Sequence, residues 1–219
     1  MSRQIVLCLF TLFYLYPVWF IFAKQFPDWI VYANIKFNIL KPEFIQIKNI
    51  KLKIMASITL KGNAVSTLGT IPQVGEQLLD FDLITNGLSH VSLKDFAGSK
   101  LVLNIFPSLD TGTCAASVRA FNKAAASLEN TKVLCISRDL PFAQARFCGT
   151  EGIANAITLS DFATHTFGKD YQVEITSGPL ASLLSRAVIV AGADGKVTYS
   201  QQVPEIVDEP DYEAALAAL

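Results

Sequence analysis

Leu101-Val102-Leu103-Asn104-Ile105 leads into Phe106-Pro107-Ser108-Leu109-Asp110-Thr111-Gly112-Thr113-Cys114-Ala115-Ala116-Ser117-Val118-Arg119, and within these residues the backbone changes character twice. The first five read as a buried strand, a short and nearly continuous apolar run. Cys114, Val118, Phe121, Ala125 and Leu128 then recur at steps of three and four, the period of one helix face. Between the two, Pro107 and Gly112 interrupt regular backbone, and Thr111 and Thr113 are good N-cap residues. A cysteine is therefore expected in the first turn of a helix, just past the carboxyl end of a buried strand.

That position has chemical consequences. First-turn N–H groups lack intrahelical acceptors, and the helix dipole adds partial positive charge there. Both favour a thiolate over a thiol. The competing explanation is a small apolar residue on the buried helix stripe, which is what most free cysteines are. The Pro, Thr and Gly punctuation ahead of Cys114 tips the reading toward a reactive sulfur.

Pro107, Thr111 and Cys114 together form Pro-x-x-x-Thr-x-x-Cys, which resembles the peroxidatic motif of the peroxiredoxins. The longer string from Leu103 to Arg119 is similar to the bacterial thiol peroxidases of the Tpx subfamily, atypical two-cysteine peroxiredoxins. Further matches follow in order: Val133-Leu134-Cys135-Ile136-Ser137, Asp139-Leu140-Pro141-Phe142-Ala143-Gln144, Arg146-Phe147-Cys148 and Glu209-Pro210-Asp211-Tyr212-Glu213. The resemblance runs from Met55 to the C-terminus. It implies a thioredoxin-like fold carrying the peroxiredoxin N-terminal hairpin. It also implies reduction of hydrogen peroxide and organic hydroperoxides, with alkyl hydroperoxides preferred. Thioredoxin is the implied reductant, the implied assembly is a homodimer, and no metal or organic cofactor is implied.

There are four cysteines, Cys8, Cys114, Cys135 and Cys148, and no Cys-x-x-Cys pair. Cys135 sits in an apolar strand pattern and reads as a buried, inert thiol. Cys148 follows what reads as a short helix, Pro141 to Phe147 and ending near Gly149, and precedes the polar Gly149-Thr150-Glu151-Gly152. Cys148 reads either as a packing residue at a helix end or as a resolving thiol, because a sulfenic acid condenses with a second thiol to a disulfide. The resemblance puts the resolving cysteine at Cys148. A Cys114–Cys148 bond needs Cα atoms within about 7 Å, so local unwinding of one or both helix ends is expected on oxidation.

Peroxide cleavage needs donors for the charge that develops on oxygen. Thr111 and the first-turn N–H groups are local candidates. Arg186 stands just before the apolar run Ala187-Val188-Ile189-Val190, where a lone arginine is by default solvated; the resemblance makes it the active-site arginine. Arg119, one turn beyond Cys114, reads as a surface charge or ion-pair partner. His90 and His165, the only histidines, fall in polar stretches and offer neither a hydrolase base nor a metal set. No Gly-rich phosphate loop is present.

Residues 1–54 differ from the rest. Ile5 to Ala23 is an uncharged apolar run long enough in principle to span a bilayer, while the flanking sequence fits a cleaved secretory signal poorly. Seven basic against two acidic residues give this segment +5, whereas eleven basic and seventeen acidic residues give 55–219 a charge of −6. The mildly acidic body has no basic stripe and argues against a nucleic-acid partner. The preferred expectation is that translation begins at Met55, which makes the protein cytoplasmic. The alternative is a membrane-anchored or exported protein held through residues 5–23.

From Met55, 165 residues suffice for one domain with a real core. A hairpin is expected around Lys61-Gly62-Asn63, strands at 81–85, 101–106, 132–137 and 156–159, and helical pieces at 141–147 and 162–167. A second hairpin (187–190 with 197–201) and a last helix from Asp211 follow. Strands separated by helices imply an α/β fold with a central mixed sheet flanked by helices. The expected function is a thiol-dependent peroxidase; a redox sensor switched by the same disulfide, with little turnover, is the alternative.

Overall fold

The computed structural model describes residues 57–219. The domain boundary at 54/55, Cys8 and the apolar run 5–23 lie outside the described residues. Among the described residues no helix is long and apolar enough to cross a membrane.

Strands β1 (Ser57–Leu60) and β2 (Asn63–Ser66) form an antiparallel hairpin with Leu60 opposite Asn63. The turn is therefore two residues, Lys61 and Gly62, both at positive φ (52° and 80°). That is the twist a two-residue hairpin needs, and glycine supplies it without steric cost. Asn63, expected in the turn, joins the strand instead.

The main sheet contains β3 (Leu83–Thr85), β4 (His90–Val91), β5 (Lys100–Ile105), β6 (Thr131–Ser137), β7 (Ala156–Ser160), β8 (Ala187–Ala191) and β9 (Val197–Gln202). Their spatial order is β4-β3-β7-β6-β5-β8-β9. β5, β6 and β7 are parallel neighbours, joined by helices α1 (Gly112–Ala125) and α2 (Pro141–Glu151) as parallel crossovers require. β8 runs antiparallel to β5 and pairs with β9 in the expected hairpin. Two short helices complete the chain, α3 (Thr166–Asp170) and α4 (Tyr212–Ala217). This is the mixed α/β architecture expected from the sequence.

Both faces of the central strands are covered, so their sequences read as unbroken apolar runs rather than alternating ones. Leu101, Leu103, Ile105, Leu134, Ile136 and Ile189 pack on one side with Phe81, Phe167 and Tyr171. Val102, Val133, Cys135, Val188 and Val190 pack on the other with Val118 and Phe121 of α1, Phe147 of α2 and Tyr212 of α4. Each large side chain so buried contributes roughly 1.5–3 kcal/mol by leaving water. The face that carries α1 and α2 is the one that holds all three cysteines of the described residues.

Some boundaries differ from the sequence reading: β3 begins at Leu83 rather than Phe81. α2 does not stop near Gly149; it runs through Cys148 to Glu151 and ends where Gly152 adopts the left-handed conformation (φ 64°). The helical piece expected at 162–167 starts only at Thr166, because the Asp161 carboxylate accepts the N–H groups of Phe167 and Gly168 (both 3.1 Å) and fixes the first turn there.

Candidate active site

Thr111 is the N-cap of α1, with extended backbone (φ −115°, ψ 144°), and Cys114 is the third helical residue. The first i→i−4 bond of the helix is donated by Ala115 to Thr111 (3.0 Å), so the N–H groups of Gly112, Thr113 and Cys114 precede the ladder. Cys114 is 0% exposed. Its neighbours on the apolar side are Phe106, Leu109 and Val118, which exclude water from the sulfur.

Against that sulfur lies a buried cation. Arg186, just ahead of β8, is 1% exposed and donates from Nη2 to the Cys114 Sγ at 3.3 Å. Its Nε donates to the Ile206 carbonyl at 2.8 Å, which fixes the plane of the guanidinium. Nη1 is buried without a hydrogen-bond partner among the described residues. A buried guanidinium 3.3 Å from the sulfur keeps a spare donor, with capacity left for an anionic or oxygen atom at the same place.

The carbonyl that orients Arg186 belongs to a segment held from behind by the N-terminal hairpin. Ile206 donates its N–H to Thr59, and Thr59 donates its own to Pro204 (2.8 and 2.7 Å). The Glu205 carboxylate accepts from Lys61 N–H, Gly62 N–H and the Thr59 hydroxyl at 2.8–2.9 Å. The next carbonyl, Val207, accepts the hydroxyl of Thr113 in the first turn of α1 (2.9 Å). Hairpin, guanidinium and cysteine helix thus share one short strap, residues 204–207. Tyr212 closes the same region: its ring packs edge-on against Phe121 at 5.2 Å and its hydroxyl donates to Glu209 at 2.6 Å. Burial and that bond push the phenol up, with the Arg186 charge pulling the other way, so Tyr212 stays a neutral donor.

The remaining residues singled out from sequence fall as follows. Pro107 is buried in the loop between β5 and α1. Thr111 is exposed, and its hydroxyl donates to the Ser108 carbonyl (3.1 Å) rather than to the sulfur. Cys148 is half-buried on α2, its Sγ 3.4 Å from the Thr158 hydroxyl on β7 and 3.8 Å from the Asn86 amide. Arg119 pairs with Glu151 at 3.0 Å, tying α1 to the last turn of α2. His90 pairs with Asp82 (2.6 Å) at the exposed sheet edge, and His165 precedes α3. Cys135 is 0% exposed in β6, hydrogen-bonded by the Asn104 amide (3.6 Å), and burial pushes its thiol up to about 12.

The structure thus brings Cys114 and Arg186 together and leaves Cys148 apart. Cys148 is anchored on β7 and Cys114 against the start of β8, two strands separated by β6 and β5. That is roughly 14 Å at about 4.8 Å per strand spacing. All three thiols are free. The Ile206 carbonyl, Val207, Tyr212 and Asp139, which holds the loop ahead of α1, belong to the site although single residues in the sequence did not mark them as such.

A family model described as Redoxin matches residues 73–216. A thiol peroxidase from Corynebacterium glutamicum is 58% identical over 165 residues, which is 75% of this chain and 99% of that protein. Among solved structures, a peroxiredoxin-like protein from Aquifex aeolicus aligns with a TM-score of 0.70 and 37% identity, covering 75% of this chain and 97% of the other. A thiol peroxidase from Chromobacterium violaceum aligns with a TM-score of 0.69 and 25% identity, covering 74% and 93%.

Proposed function

The chain belongs to the Redoxin family and is a thiol peroxidase of the peroxiredoxin type, and from that premise we propose a two-cysteine cycle that begins at Cys114 and is completed by Cys148. The observation that carries the reading is the Arg186 guanidinium, 1% exposed and 3.3 Å from the Cys114 sulfur, with Nη1 unpartnered.

The Cys114 thiolate attacks the terminal oxygen of a hydroperoxide. The O–O bond breaks, the departing oxygen leaves with a proton as alcohol or water, and Cys114 becomes a sulfenic acid. Arg186 first steadies the thiolate and then, through its free N–H, the charge gathering on the leaving oxygen. The N–H groups of the first turn of α1 act on the same atoms. Thr111, its hydroxyl committed to Ser108, shapes the N-cap; Pro107 fixes the loop that delivers it.

The Cys148 thiol then attacks the sulfenic sulfur: an S–S bond forms, the S–O bond breaks, and water leaves. From its place on α2, against Thr158 of β7, Cys148 reaches Cys114 only if one or both cysteine-bearing helix ends unwind, the C-terminal end of α2 among them. That end suits the task, with Gly149 inside the helix, Gly152 at its cap and Thr150 and Glu151 exposed. Thioredoxin restores both thiols by exchange, its dithiol becoming the disulfide. The cycle needs no bound metal or organic cofactor. The reading places a homodimeric enzyme in the cytoplasm, acting on hydrogen peroxide and organic hydroperoxides.

The test is steady-state turnover of the full chain with cumene hydroperoxide, thioredoxin, thioredoxin reductase and NADPH. Cys114→Ser is expected to abolish turnover, and Cys148→Ser to stop after one peroxide per subunit. Turnover surviving in Cys114→Ser would overturn the assignment. Stoichiometric oxidation of the wild type without cycling would turn the reading to a redox switch.

A further inference from the structure

Asp139 follows β6 and immediately precedes Leu140, the N-cap of α2, yet its carboxylate is spent on the other cysteine's loop. Oδ1 accepts the Ser108 hydroxyl (2.7 Å) and Oδ2 accepts the Leu109 N–H (2.8 Å). Those residues lie between Pro107 and the N-cap Thr111. Oδ2 also accepts the Ser137 hydroxyl (2.8 Å), whose oxygen in turn takes a hydrogen bond from Gln144 Nε2 of α2 (3.1 Å). The Asp139 carbonyl accepts the Ser160 hydroxyl of β7. One residue therefore pins the loop ahead of Cys114, the end of β6 and the first turns of the helix that carries Cys148.

The geometry points to Asp139 as a positioning residue that sets the speed at which Cys148 resolves the Cys114 sulfenic acid, and with it the share of enzyme lost to over-oxidation; this rests on the two-cysteine cycle proposed above. The folded arrangement bonds the Cys114 loop to the α2 start, while the disulfide requires the two cysteine-bearing segments to leave their present places. Every bond Asp139 makes must be kept or broken as that motion proceeds. A bond to a carboxylate is stronger than one between neutral groups, so the carboxylate biases the molecule toward this folded arrangement, the closed form, over one in which the cysteine-bearing segments have moved.

Over-oxidation competes from that closed form. The sulfenic sulfur either accepts Cys148, releasing water, or is oxidised by a second hydroperoxide, whose O–O bond breaks to give alcohol and a Cys114 sulfinic acid. Slower opening lengthens the exposure to the second peroxide. The solvent-exposed pair Asp110–Arg146 (3.8 Å) spans the same two segments but is a weak tie at that exposure.

The experiment uses the full chain, reduced and then exposed to increasing cumene hydroperoxide, quenched by an alkylating reagent and read by mass spectrometry as disulfide against sulfinic acid. Asp139→Asn keeps the shape and removes the charge. It is expected to speed disulfide formation roughly three- to tenfold, about the net worth of one hydrogen bond, and to lower the sulfinic fraction at equal peroxide. Ser108→Ala, which removes one of the three bonds, moves both readouts the same way by less, and decides alone if Asp139→Asn does not fold. A merely structural role would lower stability without shifting this partition. Wild-type-like or slower disulfide formation, with an unchanged or larger sulfinic fraction, overturns the role of Asp139. Absence of a Cys114–Cys148 disulfide in the wild type itself overturns the two-cysteine cycle, and the inference falls with it.

Discussion

Cys114 and Cys135 are each 0% exposed, and both lie on the sheet face that α1 and α2 cover. Burial by itself pushes a thiol toward its neutral form, and at Cys135 it does so, up to about 12, against the weak pull of the Asn104 amide. Cys114 sits in the same dry interior, but a guanidinium stands 3.3 Å away and a helix begins beneath it. What separates the two thiols is fixed positive charge rather than access to water. In a low-dielectric site that charge acts with little screening, so burial strengthens it at Cys114 and leaves Cys135 inert.

The largest test of that contrast removes the charge. Arg186→Gln takes away the cation and is expected to slow peroxide reduction by about 10²–10³-fold, the usual loss when a preorganised donor is removed from a developing anion. Single-turnover kinetics with limiting cumene hydroperoxide reads the step directly. A rate within a few-fold of wild type would mean that the helix terminus alone activates Cys114.

A smaller effect is expected from the other thiol. Cys135→Ala opens a small void in the β6 core and costs about 1–2 kcal/mol of stability, seen as a lowered denaturant midpoint, while peroxide turnover stays at the wild-type level. With its thiol at about 12, Cys135 is thiolate in only roughly one part in 10⁴ at pH 8. Iodoacetamide at that pH should therefore label Cys114 and Cys148 and spare Cys135 until the protein is unfolded. Labelling of Cys135 in the folded protein would break the distinction.

The contrast was half legible in the sequence. A strand, then Pro107 and Gly112, then a 3.6-period stripe placed Cys114 at a helix start, and the unbroken apolar run 133–136 placed Cys135 in a buried strand, because both signals are local. Arg186 was marked only through the resemblance: by the residues alone, an arginine flanking an apolar strand looks the same whether solvent or a thiol receives it. Its inward partners, the Ile206 carbonyl twenty residues on and the Cys114 sulfur 72 residues back, are brought to it by the fold. The end of α2 was misplaced for a similar reason. Gly149 and Thr150 are poor helix formers, and the helix passes through them because Gly152 caps it and Arg119 of α1 holds Glu151. Its last turn is thus held by a local glycine cap together with one contact from outside the helix.

The smallest effect concerns the hairpin, which supports the Cys114 pocket and has no counterpart at Cys135. Glu205 joins the β1–β2 turn to the strap whose Ile206 carbonyl orients Arg186. The Gly62 N–H above all, with the Lys61 and Val207 N–H groups and the Thr59 hydroxyl, holds its carboxyl down at about 2 from an ordinary 4.5. A carboxyl depressed in the folded state adds stability that is fully present above its unfolded value and is lost as pH falls through the folded one. The Tm difference between wild type and Glu205→Gln should therefore be constant above about pH 5 and close between roughly pH 4.5 and 2. If the strap also sets the guanidinium, Glu205→Gln slows peroxide reduction modestly at neutral pH, whereas Cys135→Ala does not slow it at all. Equal rates in the two variants would show that Arg186 holds its place without the hairpin, and would confine the difference between the two thiols to the guanidinium and the helix start.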